Sequence, residues 1–365
     1  MPLQYKEDWD EAKERYQAWW AHESIGRCAM AVTAPREGCP PLTWPERPPT
    51  PEQCWTDLDY LSAVNTYWFE SIYYGGEAFP TWHGGYPGHT TFAVFYGCPI
   101  TLDFETGWID PILTGESIDY GQLRINREHP YYQFAVKQLQ RASQESLGKA
   151  IPAIGAFGGC GDTLAWLRGS EQLLYDVADR PEEVHAAEML LMEQWIEEYS
   201  RFYELIRDAA EGSTCWFSLW SPGKMYAAQN DFAYMISPCD FNRIFLPAIE
   251  LQTQFLDHCV YHVDGEGNFN HVDALCTLPR LHALQILPGD GKPSPLHYLP
   301  VLKKVQAAGK NLHITLSPHE VETALTELSA RGLFIKTHCE SEDEAKTLLK
   351  NAERWSRDRV MVGKA

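Results

Sequence analysis

The sequence is short of positive charge: 30 Lys and Arg stand against 50 Asp and Glu, a formal net charge of −20 at pH 7. No extended basic strip gathers the cations, so a phosphate backbone is repelled and no nucleic-acid partner is expected. No apolar run approaches the roughly 20 residues that cross a bilayer. The opening MPLQYKEDWDEAKERYQAWW lacks the basic start and apolar stretch of a secretory leader. No membrane association is expected, and the cytoplasm is the default compartment. The cysteines at 28, 39, 54, 98, 160, 215, 239, 259, 276 and 339 contain no CxxC pair. Scattered through a chain this long, most are expected to be reduced thiols in packed regions. Low-complexity tracts are also missing, and a hydrophobic fraction of 44% with 22% charged residues indicates a globular chain with a sizeable core.

What is present is an alternation of helical and strand-like segments. Asp8–Ala21 can form an amphipathic helix, followed by an apolar stretch, Cys28–Val32, suited to a first strand. Prolines break the chain repeatedly from Pro35 to Pro51, predicting a long loop. A helix is expected over Leu58–Tyr74, ending at Gly75-Gly76, then a second strand over Phe79–His83. Phe92–Thr106 reads as an inserted hairpin or short excursion. Helix from Glu128 to Leu147, strand over Ile151–Phe157, a helix from Thr163 capped by Asp162, and a long helix from Pro181 through Ile206 follow. Leu191, Trp195, Tyr199 and Phe202 make an apolar stripe on that last helix, expected to pack rather than to act. Further strands are predicted at Thr214–Leu219, Cys259–Val263, Ala283–Leu287, Asn311–Thr315 and Leu333–Thr337. Helices are expected between them over Phe241–Leu256, Leu296–Ala308 and Val321–Arg331, with cap signals at Ser317/Glu320 and Ser341/Glu344. Counting all of these gives eight candidate strands, and the fold class is α/β, a (β/α)8 barrel closing in order, with an open doubly wound sheet as the competing arrangement. Residues 1–78 form an N-terminal helical and Pro-rich extension that includes the first strand, 79–350 the barrel and 351–365 a tail. The extension is expected to pack over the barrel or to mediate self-association as a homo-oligomer.

The residues able to do chemistry collect at predicted strand ends. In HCVYHVDG, His262 and Asp264 are two apart and share a face if the strand runs through both, and Gly265 permits the exit turn. KTHCE, residues 336–340, carries Cys339 to the same rim if the barrel closes. His262, Asp264 and Cys339 offer nitrogen, oxygen and sulfur, all of which zinc accepts, with a position left open for substrate or water. Each also has a plain structural reading: a hydrogen-bonded histidine, a turn carboxylate and a core thiol. Trp220 and Tyr226 could flank a planar ligand or simply cover the barrel edge. Asp290, in Gly289-Asp290-Gly291, sits in a tight loop without the Lys-Ser/Thr ending of a phosphate loop. His83, Asp162 and His319 complete the rim candidates.

Several stretches together resemble the uroporphyrinogen decarboxylase superfamily, near its corrinoid-dependent methyltransferase branch, across roughly residues 79–350. They are FYGCPI at 95–100, GAFGGCGDTLAWLRG at 155–169, NDFAYMISPCDFNRIFLPAI at 230–249, HVDG at 262–265, LQILPGDG at 284–291 and GLFIKTHCESEDEAKTLL at 332–349. The resemblance implies a barrel enzyme in which His262 answers to the histidine of the methyltransferase zinc site. Asp264 stands where that branch commonly has a second sulfur ligand, and Cys339 answers to the distant C-terminal cysteine. It further implies a zinc-activated small-molecule thiol acceptor and a methyl donor in the form of a corrinoid carried by a partner protein. The alternatives are a decarboxylase acting on an aromatic or tetrapyrrole-related carboxylate, against which the N-terminal region offers only Arg27 in place of an arginine-rich clamp, and a barrel that binds a ligand without turnover.

Overall fold

Short, almost wholly buried apolar runs set the frame of the molecule. The computed structural model describes residues 2–84, 91–115, 118–155 and 157–359. Its strands in chain order are β1 (Ala29–Pro35), β2 (Ile72–Gly76), β3 (Thr81–Trp82), β4 (Ile100–Leu102), β5 (Gly107–Ile109), β6 (Ile151–Pro152), β7 (Ser213–Thr214), β8 (Trp220–Ser221), β9 (Met225–Gln229), β10 (His258–Asp264), β11 (Ala283–Leu287), β12 (Asn311–Thr315) and β13 (Leu333–His338). A continuous ladder runs β2-β1-β13-β12-β11-β10-β9. All its pairings are parallel except that of β2 on β1. Burial on both faces follows, because the connecting segments, including the helices Leu299–Ala307, Val321–Glu327 and Glu342–Trp355, return over the outer side.

The remaining strands form shorter pieces. β3 pairs with β6 in parallel, Ile154 N donates to Thr214 O at 3.3 Å, and β7 pairs with β8 in antiparallel fashion. The hydrogen-bonded ladder among the described residues therefore does not close into one barrel. The architecture is mixed α/β with a parallel central sheet, compatible with the expected (β/α)8 arrangement. β4 and β5 form a separate hairpin, in the stretch read as an excursion.

Several boundaries differ from the sequence reading for local reasons. The helix expected to reach Tyr74 stops at Ser71, and Ile72, Tyr73 and Tyr74, good strand formers, turn back as β2 along β1. The expected strand Thr214–Leu219 is broken by a tight turn at Ser218, whose φ is +58°, and the strand that enters the ladder is β9, every residue of it buried. The helix assigned to start at Thr163 begins at Cys160 and lacks a side-chain cap, so Asp162 lies inside its first turn. The long helix Pro181–Ala210 buries the Leu191, Trp195, Tyr199 and Phe202 stripe as expected. Ala156, within the expected strand Ile151–Phe157, and residues 360–365 of the expected tail lie outside the described residues.

One end of the strands is plugged by the N-terminal helix Trp9–Trp20. Tyr16 packs on Phe79, Trp220 and Phe334, while Trp19 Nε1 donates to Gly332 O at 2.9 Å, at the entrance to β13. Arg27 serves this plug. Its guanidinium donates to both carboxylate oxygens of the fully buried Glu77, at 2.7 and 3.0 Å, and Met30 N donates to the same carboxylate at 2.5 Å. Glu77→Ala strips Arg27, among the described residues, of its only carboxylate within hydrogen-bonding distance in a buried setting, so urea unfolding should show a loss of about 3–5 kcal/mol. A loss below about 1 kcal/mol would mean that the pair behaves like a surface one.

Candidate functional site

The parallel register aligns Gln229, His262, Gln285 and His313 as neighbours on successive strands, so their side chains leave the sheet on the same face. His262 Nδ1 lies 2.5 Å from Gln285 Oε1. With that nitrogen donating to the amide oxygen, Nε2 is the atom left facing outward along the strand, and it lies 3.7 Å from Asp264 Oδ2. The two-residue spacing read from the sequence thus brings His262 and Asp264 together as expected.

A third carboxylate joins them. Asp231, which the sequence reading did not single out, offers an oxygen such that single donor atoms of Asp231, His262 and Asp264 all lie within 4.8 Å of one another. Asp231 opens the short 3-10 helix that follows β9. Its backbone is held by Asp162, whose Oδ1 accepts from Asp231 N at 2.6 Å and Phe232 N at 3.1 Å, while Oδ2 accepts from Gln229 Nε2 at 3.0 Å. Asp162 therefore caps a helix, but one far along the chain from its own. Gly265, at φ +82°, turns the chain away after Asp264, and Asn268 Nδ2 returns to Asp264 O at 2.6 Å. The Trp216 ring stands edge-on to His262, centroids 5.0 Å apart.

The electrostatics follow from these neighbours. Burial pulls the His262 imidazole toward the neutral form, but its contacts with Asp264, Asp231 and Gln285 outweigh this and raise its pKa. Loss of bulk water pushes Asp231 up, the imidazole of His262 pulls it down, and the Asp264 carboxylate pushes it up again. Asp162 is raised by burial and then by Asp231. Negative charge is concentrated around one nitrogen, an arrangement that a bound cation would relieve.

The remaining predicted residues are placed as follows. Cys339 is fully buried, its N–H donating to Thr33 O at 2.8 Å, and is not among the donors grouped with His262. It continues β13 with the parity of Ile335 and Thr337, opposite to that of Lys336. Burial, with Glu344 and Glu340, pushes its thiol up to about 11, so it is neutral at pH 7. Trp220 is in the core at the plugged end, its Nε1 donating to Ala210 O at 3.0 Å. Tyr226 is buried too, its hydroxyl donating to Gly155 O at 3.3 Å and accepting from Phe157 N, and so holds a turn. Asp290 is exposed on the loop after β11, where Gly289 approaches Gly265 closely enough that an added Cβ would stand 3.4 Å from its Cα. His319 is exposed in the short helix Pro318–Glu320. His83 lines a separate chamber.

Comparison with known proteins gives a fold and no family. No family model matches the chain, and no curated protein matches it significantly. Among solved structures, a methyltransferase from Methanosarcina mazei is similar over 94% of this chain and 98% of its own, with a TM-score of 0.62 and 12% identity. Two single-site mutants of methylaspartate ammonia lyase from Clostridium tetanomorphum align with TM-scores of 0.32 and 0.31 at 11% and 12% identity, covering 67% and 61% of this chain and 50% and 46% of theirs. The chain thus has a methyltransferase-like fold, and among the described residues no helix is long and apolar enough to cross a membrane.

Because Gln285 fixes the ring through Nδ1, its loss should be felt by any cation held at Nε2. In a zinc titration followed by calorimetry, Gln285→Leu is expected to weaken binding by about 10–100-fold. Unchanged affinity would place the cation elsewhere.

Proposed function

We propose that the chain is a zinc-dependent methyltransferase that moves a methyl group from a corrinoid, carried by a partner protein, to a thiol or related small acceptor. The observation that carries this reading is the convergence of Asp231, His262 and Asp264 at the ends of β9 and β10. The resemblance of HVDG and its companion stretches to the corrinoid-dependent branch, and the methyltransferase-like fold, point the same way.

The donor set fits zinc. One imidazole nitrogen and two carboxylate oxygens are acceptable ligands, and bonds of about 2.0–2.2 Å put tetrahedral ligands roughly 3.3–3.6 Å apart. The 3.7 Å between His262 Nε2 and Asp264 Oδ2 is close to that spacing. Zinc, when bound, would lower the pKa of an acceptor thiol and hold it as a thiolate. His262 would ligate through Nε2 while Gln285 keeps Nδ1 protonated. Asp231 and Asp264 would complete the set, and Asp162 would hold Asp231 in place through its backbone. Trp216 walls one side of the ring and limits water there. The acceptor sulfur would then attack the methyl carbon, and the carbon–cobalt bond would break with its electron pair remaining on the corrinoid.

The test is to purify the protein anaerobically, measure bound metal, then mix it with a methylated corrinoid protein and a panel of thiols while following both cobalt spectra and methylated products. Near-unit zinc and product formation are expected. Turnover should fall in His262→Ala by more than the roughly 10–100-fold that loss of an outer partner costs, and Cys339→Ala should retain its zinc. Active metal-free protein, or full activity in His262→Ala, would reject the mechanism. Zinc lost with Cys339→Ala but kept in Asp231→Asn would return the ligand role to the thiol.

A further inference from the structure

On the other side of the same mouth, between β13, β1 and β3, lies a chamber of about 560 Å3, a size within the range of small-molecule sites. Its floor is formed by Thr33, Thr81, His83, Ser218 and Lys336. Its roof is aromatic: Trp55, Tyr60 and Trp68 come from the helices Pro51–Thr56 and Leu58–Ser71, and Phe104 from the β4–β5 turn. These parts are tied together, since Trp55 Nε1 donates to Asp103 O at 2.6 Å and the Arg47 guanidinium lies 4.4 Å over the Phe104 ring. The proline-rich loop and the hairpin, which had no assigned purpose in the sequence, thus build a lid over strand ends.

The floor holds an ammonium group in an uncommon situation. Register pairs Lys336 with Thr315 and Ala31, and Ala31 also lines the chamber, so the lysine points inward. Among the described residues Lys336 Nζ has neither an ion pair nor a hydrogen bond, and none of those lining the chamber is Asp or Glu, in a chain of net charge −20. The buried lysines, by contrast, are satisfied: Lys6 Nζ donates to Tyr74 O and Gly76 O, and Lys310 Nζ to Leu278 O and Leu281 O. Burial lowers the pKa of Lys336, with only the Cys215 thiol opposing it. His83, whose ring is open to the chamber, is pushed down to about 4 by loss of bulk water and by Lys336, so it is neutral at pH 7. Its Nε2 stands 3.5 Å from Ser218 Oγ, which in turn accepts from Thr81 Oγ1 at 3.3 Å. The floor therefore offers one cation beside neutral donors and acceptors, and the Arg47 guanidinium, held over the Phe104 ring, is a second cation lining the chamber.

We propose that this chamber binds a one- or two-ring aromatic carboxylate, with the rings under the Trp55, Tyr60 and Trp68 lid and the carboxylate on Lys336. A partly buried ammonium with no partner gains most from an anion that arrives desolvated, and charge-assisted hydrogen bonds are the strong ones. Flat aromatic walls contribute stacking and edge contacts that an aliphatic acid could use only in part. This site depends neither on the metal group nor on methyl transfer.

The probes are 2-naphthoate, its uncharged counterpart 2-naphthylmethanol, and acetate, titrated by calorimetry and by quenching of tryptophan fluorescence. The unaltered protein should bind the naphthoate about 10-fold or more tighter than the alcohol and should bind acetate weakly. Naphthoate affinity should be unchanged by EDTA. Lys336→Met should remove most of the preference for the acid, leaving at most what Arg47 contributes, with the alcohol bound as before, and Lys336→Arg should restore part of it. Equal affinity for acid and alcohol in the unaltered protein, no saturable naphthoate binding at millimolar concentration, or loss of binding on adding EDTA would each overturn the proposal. The first comparison needs no variant, so a folding defect in Lys336→Met leaves it decisive.

Discussion

The parallel register from β9 to β13 is the constraint on which everything at the mouth depends. It aligns Gln229 with His262, His262 with Gln285, Gln285 with His313 and His313 with Phe334, one row across the inner face. A slip of one residue would turn His262 toward the helices and bring its neighbours inward instead. Parallel strands buried on both faces are ordinarily rich in branched apolar side chains, so a row this polar needs an account. Gln285 supplies it for His262 by occupying Nδ1. His313 instead lies against Phe217 and Phe334, with ring centroids 5.4 and 5.3 Å away, and burial, Lys336 and His262 together push it down to about 3. It is a neutral spacer between the two sites.

A single buried carboxylate connects the two halves of the chain at the group formed by Asp231, His262 and Asp264. Asp162 comes from the segment after β6, yet its oxygens take hydrogen bonds from Gln229, Asp231 and Phe232. Acceptor atoms at the first N–H groups of a short helix satisfy donors that the helix itself leaves open. Here they also fix where Asp231 begins. The cost falls on both acids: burial and then Asp231 raise Asp162, while partial loss of bulk water and the Asp264 carboxylate raise Asp231 against the pull of His262.

The second half of the fold was legible because its signals are local. β11 and β12 fall on the expected residues, Ser317 and Glu320 make the expected capping box, and the period-2 pairing of His262 with Asp264 holds. Asp231 was missed because β9, five residues buried throughout, has no alternation to mark it, and Thr214–Leu219 offered a more strand-like run. Had Met225–Gln229 been recognised, a carboxylate just past its end would have been an obvious donor. Cys339 shows the converse: it was placed correctly along the chain, but one residue of parity separates the inward Lys336 from the buried thiol. Trp220 and Tyr226 were read as rim aromatics because their order in sequence does not reveal the N-terminal plug or the turn that Tyr226 holds.

The lid could not be read in advance, since its parts come from separate stretches of the chain and meet only over β1 and β3. Once assembled, it creates a division of charge within one mouth. Lys336 and Asp264 both sit one strand step outward of the inner row, on β13 and β10, with β11 and β12 between them. Three strand spacings of about 4.8 Å put them roughly 14 Å apart along the sheet. Neither site neutralises the other, and no ion pair joins Lys336 to an acid among the described residues. The proposed cation at Asp231, His262 and Asp264 and the proposed anion at Lys336 would therefore each be held by its own side chains.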